Sequence, residues 1–108
     1  MRVKPQPYKV RNIHVVAKGA DMLVREYTLD PGEKIPWHRH SHVSDYYYGL
    51  EGRVVVETRA PAARHELGAG QAATVTPSTA HQVFNPAKSP CRFLLIQGVG
   101  QYDFIREE

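Results

Sequence analysis

Four side chains able to ligate a metal, His38, His40, His42 and Asp45, fall in one short stretch, Pro36-Trp-His-Arg-His-Ser-His-Val-Ser-Asp45, and a further histidine, His81, stands on a later segment. Neutral imidazole nitrogens together with a carboxylate oxygen suit divalent first-row transition ions, so the pattern points to metal binding. In an extended strand residues two apart share a face, which places His38, His40 and His42 on one side at fixed separations.

Such a site needs strands to hold it, and the chain is rich in strand signals. Residues 13–17 and 22–29 read as strands, separated by Lys18-Gly-Ala-Asp21 and ended by Asp30-Pro-Gly32. Residues 46–50 enter a tight turn at Glu51-Gly52 and residues 53–58 leave it as a β-branched run, which reads as a hairpin. Residues 59–64, with Pro61 among alanines, read as a loop. Strands are expected over 72–76, broken by Pro77-Ser-Thr79, over 81–84, stopped by Asn85-Pro86, and over 92–97, with 99–105 a final strand or a short turn. Short strands punctuated by eight glycines and eight prolines imply an all-β sandwich or barrel.

The 108 residues suffice for one domain. Net charge is +3, with Arg2, Lys4, Lys9 and Arg11 on an extended basic N-terminal arm over residues 1–11. Neither a basic helix nor an aromatic-studded nucleic-acid motif accompanies that charge, so no nucleic-acid partner is expected. No apolar run approaches the roughly 20 residues that span a bilayer, and the N-terminus lacks an apolar signal core; the expectation is a cytoplasmic protein without a membrane partner. A single cysteine, Cys91, excludes an intrachain disulfide and reads as a small buried thiol heading an apolar run.

The glycines bracket the candidate ligands at definite spacings. Gly32, His38, His40, Asp45 and Gly52 follow G-x5-H-x-H-x4-D-x6-G, which resembles the first motif of the cupin superfamily with Asp45 in the place of a glutamate. Gly70, Thr76, Ser78, His81 and Asn85 resemble the second motif, G-x5-P-x-G-x2-H-x3-N, with Thr76 and Ser78 replacing a proline and a glycine while Pro77 keeps the bend one place along. The chain is thus similar to the small single-domain type-2 cupins. That resemblance implies a jelly-roll β-barrel over residues 1–108 and a homodimer. It also implies one divalent transition ion per chain (Fe, Mn, Zn, Ni or Co), held by His38, His40, His81 and Asp45. Asp45 is one methylene shorter than glutamate, so His42 is its rival for the fourth position. Asn85 reads as a turn residue rather than a ligand, and Gly32, Gly52 and Gly70 as backbone positions needing positive φ or close approach.

A mononuclear site with open coordination positions implies an enzyme acting on a small oxygenated organic substrate, with dioxygenase activity the leading expectation. The alternatives are a redox-neutral isomerase, cyclase or lyase, and a non-catalytic small-molecule-binding protein. Tyr47 shares the parity of Asp45 and is the candidate catalytic phenol, to orient substrate or donate a proton, whereas Tyr46 and Tyr48 face the other layer. Arg25 and Tyr27 share a strand face that can reach the pocket, and Val83 shares that of His81. These three are the expected substrate-pocket residues, Arg25 to bind a carboxylate unless it sits in an exposed surface ladder. Trp37 reads as packing or dimer contact.

Overall fold

Residues 7–107 are described by a computed structural model. Among these residues the chain forms ten strands: β1 (Asn12–Lys18), β2 (Leu23–Leu29), β3 (Lys34–Arg39), β4 (Ser44–Glu51), β5 (Val54–Thr58), β6 (Ala63–Leu67), β7 (Ala72–Val75), β8 (His81–Phe84), β9 (Cys91–Gly98) and β10 (Ile105–Arg106). They form two five-stranded sheets, ordered β1-β2-β9-β4-β7 and β10-β3-β8-β5-β6. All pairings are antiparallel. This is a jelly roll. Each inner face alternates with an outer one: on β2 the buried residues are Leu23, Arg25, Tyr27 and Leu29, and on β9 they are Cys91, Phe93, Leu95 and Gln97.

One apolar cluster lies between the sheets, including Tyr27, Leu29, Ile35, Val56, Val83, Cys91, Phe93 and Leu95. Tyr27 and Phe93 stack across β2 and β9 with ring centres 5.1 Å apart. Residues 1–6 of the basic arm lie outside the described residues; beyond them Tyr8 and Val10 pack on the core, and Arg11 pairs with Asp30 at 3.0 Å.

The turn at Gly52 does not close a hairpin. β4 pairs with β7 and β9, whereas β5 pairs with β6 and β8 in the other sheet, so Gly52 is a corner where the chain changes sheets. A turn residue between two β-branched runs reports a reversal of direction and is silent about which sheet receives the next strand. Gly52 has a φ of +69°, and a Cβ there would lie 2.8 Å from the carbonyl oxygen of Pro90. The corner therefore requires glycine on both counts. The hairpin lies one strand later, β5 to β6, and β6 begins inside the stretch expected to be a loop. Its burial is mostly on the exposed side, with only Leu67 inside, so it lacks the apolar alternation that marks a strand.

No helix of the described residues is long and apolar enough to cross a membrane.

Candidate metal centre

Both sheets contribute to one cluster in the interior. β3 carries His38, His40 follows its last residue, β8 begins at His81, and β4 of the facing sheet supplies Asp45. His38 and His81 are register partners across β3 and β8. The β3–β8 register shifts between Ile35 and His38, which is why these two residues, of opposite parity, both point inward. One donor atom from each of His38, His40, Asp45 and His81 lies within 4.8 Å of the others, and all four residues are buried.

Hydrogen bonds to the backbone set the histidine tautomers. Nδ1 of His38 faces the carbonyl of Pro36 at 2.6 Å, Nδ1 of His40 that of Asp103 at 2.6 Å, and Nδ1 of His81 that of Thr79 at 2.8 Å. A carbonyl only accepts, so each Nδ1 carries the hydrogen and each neutral ring turns its Nε2 lone pair inward. The Nε2 atoms of His40 and His81 lie 3.2 and 3.0 Å from the same Asp45 oxygen, Oδ2. Lone pairs facing a carboxylate repel unless a cation lies among them. Nitrogen and oxygen donors with no hydrogen of their own, oriented from behind by backbone carbonyls, are the ligand set of a divalent transition ion, and the residues present fit one.

The field of the site favours positive charge between the imidazoles and Asp45, whether a proton on His40 or an ion. Burial would raise the Asp45 pKa, yet His40 and His81 hold it well below the ordinary carboxylate range. Burial, followed by the neighbouring His81 and His40, lowers the His38 pKa to about 3, which keeps that ring a neutral donor. Burial would also lower His40, but the adjacent Asp45 raises it. The phenol of Tyr47 donates to Asp45 Oδ2 at 2.7 Å, and burial followed by the Asp45 charge pushes its own pKa well above the ordinary value. The Gln97 amide donates to Oδ1 at 2.9 Å.

The C-terminal segment covers the histidines. Phe104 stacks on the His38 ring with centres 4.3 Å apart and planes 12° from parallel, and Tyr102 lies 5.4 Å from the His40 ring. β10 pairs with β3 opposite His38 and Arg39, the backbone N–H of Glu107 donates to the Trp37 carbonyl, and Arg39 pairs with Glu107 at 2.8 Å.

His42 does not join the cluster. β3 ends at Arg39, so the two-residue parity has lapsed by position 42, where the side chain is exposed; Asp45 brings its oxygen among the imidazoles instead. Arg25 is not in a surface ladder but 1% exposed on the inner face of β2. The guanidinium donates to Gln97 Oε1 and lies 5.3 Å from the Tyr27 ring centre and 5.7 Å from that of Tyr102. Burial alone would lower its pKa, but the phenols of Tyr27, Tyr8 and Tyr102 outweigh that and hold it above the ordinary value. Tyr27 is buried with its hydroxyl 2.8 Å from that of Tyr8, and Val83 sits in the apolar core opposite Ile35 and Val56. Tyr46 and Tyr48 lie on the outer face of β4, 36% and 42% exposed. Trp37 is half-buried beneath the Arg59 guanidinium at 3.9 Å.

Three contributors are not marked by the sequence motifs. Gln97 is the polar residue on an otherwise apolar inward face with Phe93 and Leu95, a signal that alternation offers. Tyr102 and Phe104 alternate on the last segment, but nothing local says that this segment folds back over β3.

Ser78 holds a φ of +64° at the place of the motif's glycine, and its N–H donates to the His40 carbonyl at 2.7 Å. The turn survives its substitutions. Asn85 is spent on backbone groups, donating to the carbonyls of Leu29 and Ser89 and accepting from the N–H of Ala87, as a turn residue does.

Comparison with known proteins agrees with this architecture. The chain is 30% identical over 98 residues to mannose-1-phosphate guanylyltransferase RfbM of Salmonella typhimurium strain LT2, a match covering 88% of this chain and 20% of that protein, so it spans about a fifth of this relative's length. A conserved protein with a double-stranded beta-helix domain from Klebsiella pneumoniae superposes with a TM-score of 0.77 at 24% identity, covering 98% of this chain and 91% of the other. TT1209 from Thermus thermophilus gives a TM-score of 0.76 at 29% identity, with 94% and 100% covered. The family model described as the cupin domain matches residues 25–97, from Arg25 beside the site to Gln97 on Asp45. With the jelly roll and its inward histidines in place, that match makes the chain a member of the cupin domain family.

Proposed function

We propose that this protein is a mononuclear cupin metalloenzyme that acts on a small oxygenated organic molecule, with dioxygenase activity as the leading reading. The observation that carries the metal assignment is the convergence of His40 and His81 Nε2 on Asp45 Oδ2, with each Nδ1 already committed to a carbonyl. His38, His40, His81 and Asp45 would hold one divalent first-row ion, and four protein donors leave positions open on an octahedral ion. When bound, such an ion supplies Lewis acidity toward a substrate oxygen, and as Fe(II) it also supplies reactivity toward dioxygen.

The chain's own residues prepare the site. Backbone carbonyls orient the imidazoles, while Tyr47 and Gln97 hold the two oxygens of Asp45 apart from each other's task. In this reading Tyr47 acts as a positioning residue, its proton committed to Asp45. Phe104 and Tyr102 shield the histidines from water.

Metal content of untagged protein after loading with each candidate ion tests the centre: about one ion per chain is expected, and His40→Ala should lose it. Oxygen uptake by the Fe(II) form with candidate diketones would support dioxygenase activity. Substrate loss without oxygen uptake would transfer the assignment to a redox-neutral isomerase, cyclase or lyase.

A further inference from the structure

Arg25 is a charged group buried next to the metal centre without a counterion of its own. It is 1% exposed, its Nε and Nη1 make no close hydrogen bond, and the Tyr102 hydroxyl interacts with the guanidinium from the partly exposed side. Among the described residues no carboxylate lies within ion-pair distance of it. Buried charges are ordinarily paired, because an unpaired one forfeits its hydration with nothing in return. The rings of Tyr27 and Tyr102 give partial relief through their π faces.

Asp45 is one amide away: Arg25 Nη2 donates to Gln97 Oε1, and Gln97 Nε2 donates to Asp45 Oδ1 at 2.9 Å and lies 3.4 Å from His40 Nε2. A divalent ion held by three neutral imidazoles and one carboxylate retains net positive charge, so metal loading claims the charge of Asp45 and deepens the deficit around Arg25. Of the side chains around the guanidinium, Tyr27 and Gln97 are buried while Tyr8 and Tyr102 are partly exposed, and Tyr102 lies on the unpaired stretch between β9 and β10.

We propose that Arg25 is the anion subsite of this centre, and that the ligand it selects is a small carboxylate carrying a second oxygen function near the carboxylate. The assignment rests on the metal reading above and gives it a substrate class. Arginine suits the task because its planar fork meets a carboxylate with two parallel N–H donors, and Nε and an Nη are the pair so used. Entry requires Tyr102 to move with its segment.

The test is calorimetric titration of metal-loaded protein with lactate and with lactamide, its neutral isostere, alongside metal analysis of every variant. Wild type should bind lactate saturably and at least tenfold more tightly than lactamide. Arg25→Gln should keep stoichiometric metal, lose tenfold or more in lactate affinity and lose the preference; Arg25→Lys should retain part of it. Equal lactate affinity in wild type and Arg25→Gln, or no preference in wild type, overturns the subsite. The same pair titrated into metal-free wild type removes chelation from the comparison and covers the case in which the glutamine variant fails to fold: preference for lactate there supports Arg25, and its absence counts against it. Failure of the metal reading registers separately, as wild-type protein that takes up no ion.

Discussion

The phenol of Tyr47 donates its hydrogen to Asp45 across 2.7 Å, to the same oxygen that faces His40 and His81. A carboxylate held from behind in this way presents one geometry to an incoming ion, and such supporting hydrogen bonds govern affinity without touching the metal. Tyr47→Phe removes only the hydroxyl. The variant should fold, keep the same ligands and bind its ion roughly 10- to 100-fold more weakly, as read by competition with a chromophoric chelator. Unchanged affinity would reduce Tyr47 to packing.

The separation of His42 from Asp45 is directly testable. Asp45→Ala removes an oxygen from among the imidazoles and should cost most of the bound metal, whereas His42→Ala, at an exposed position, should retain the wild-type stoichiometry. Metal analysis after dialysis against a weak chelator distinguishes them. Loss of metal in the His42 variant would mean that the loop after β3 rearranges to bring it in.

Ser78 is strained where the related motif has glycine. At a φ of +64° its Cβ crowds the following carbonyl, a penalty of about 1–2 kcal/mol that glycine escapes, against about 0.5–1 kcal/mol of extra backbone entropy lost on folding. Ser78→Gly should therefore raise stability by roughly 0.5–1 kcal/mol, a few degrees in Tm. The backbone bond from Ser78 to His40 is kept, so metal content should not change. Thermal unfolding of the metal-free variant is the measurement.

Cys91 lies in the apolar core, and burial pushes its thiol from 9.0 to about 11. The unfolded chain therefore loses this proton at lower pH than the folded one. The contribution is intact below pH 9 and disappears as pH rises toward 11, a loss on the order of 2 kcal/mol. Cys91→Ala should be less stable than wild type at pH 8, and the gap should narrow between pH 9 and 11. Denaturant unfolding at several pH values would show it, and a constant gap would remove the thiol from the pH dependence. At pH 8 the native thiol should resist alkylation until the protein unfolds.

Most strands were legible because their information is local. β2, β8 and β9 each bury one face, a period of two written directly in the residues, and β5, buried at Val54, Val55 and Val56 alike, is marked instead by its β-branched run. β6 was missed for the complementary reason: with residues 63–66 on the half-buried or exposed side, its stability comes from pairing with β5, which no local pattern records. Likewise the turn at Gly52 was visible as a turn, but its change of sheet depends on β7 and β9 having claimed the flanks of β4.

For the site, the order of residues alone established which side chains could bind a metal and, through the spacing of His38, His40, Asp45 and His81 between glycines, which family's pattern they follow. That Asp45 and not His42 stands among the imidazoles emerged from the folded chain, because a break in strand geometry after Arg39 cancels the parity on which His42 depended. Folding likewise placed Arg25 inside, one amide from Asp45, and laid Tyr102 and Phe104 over the histidines. Strand periodicity says which side chains share a face. Which two faces then meet is settled by the packing of sheets whose strands are distant in the chain.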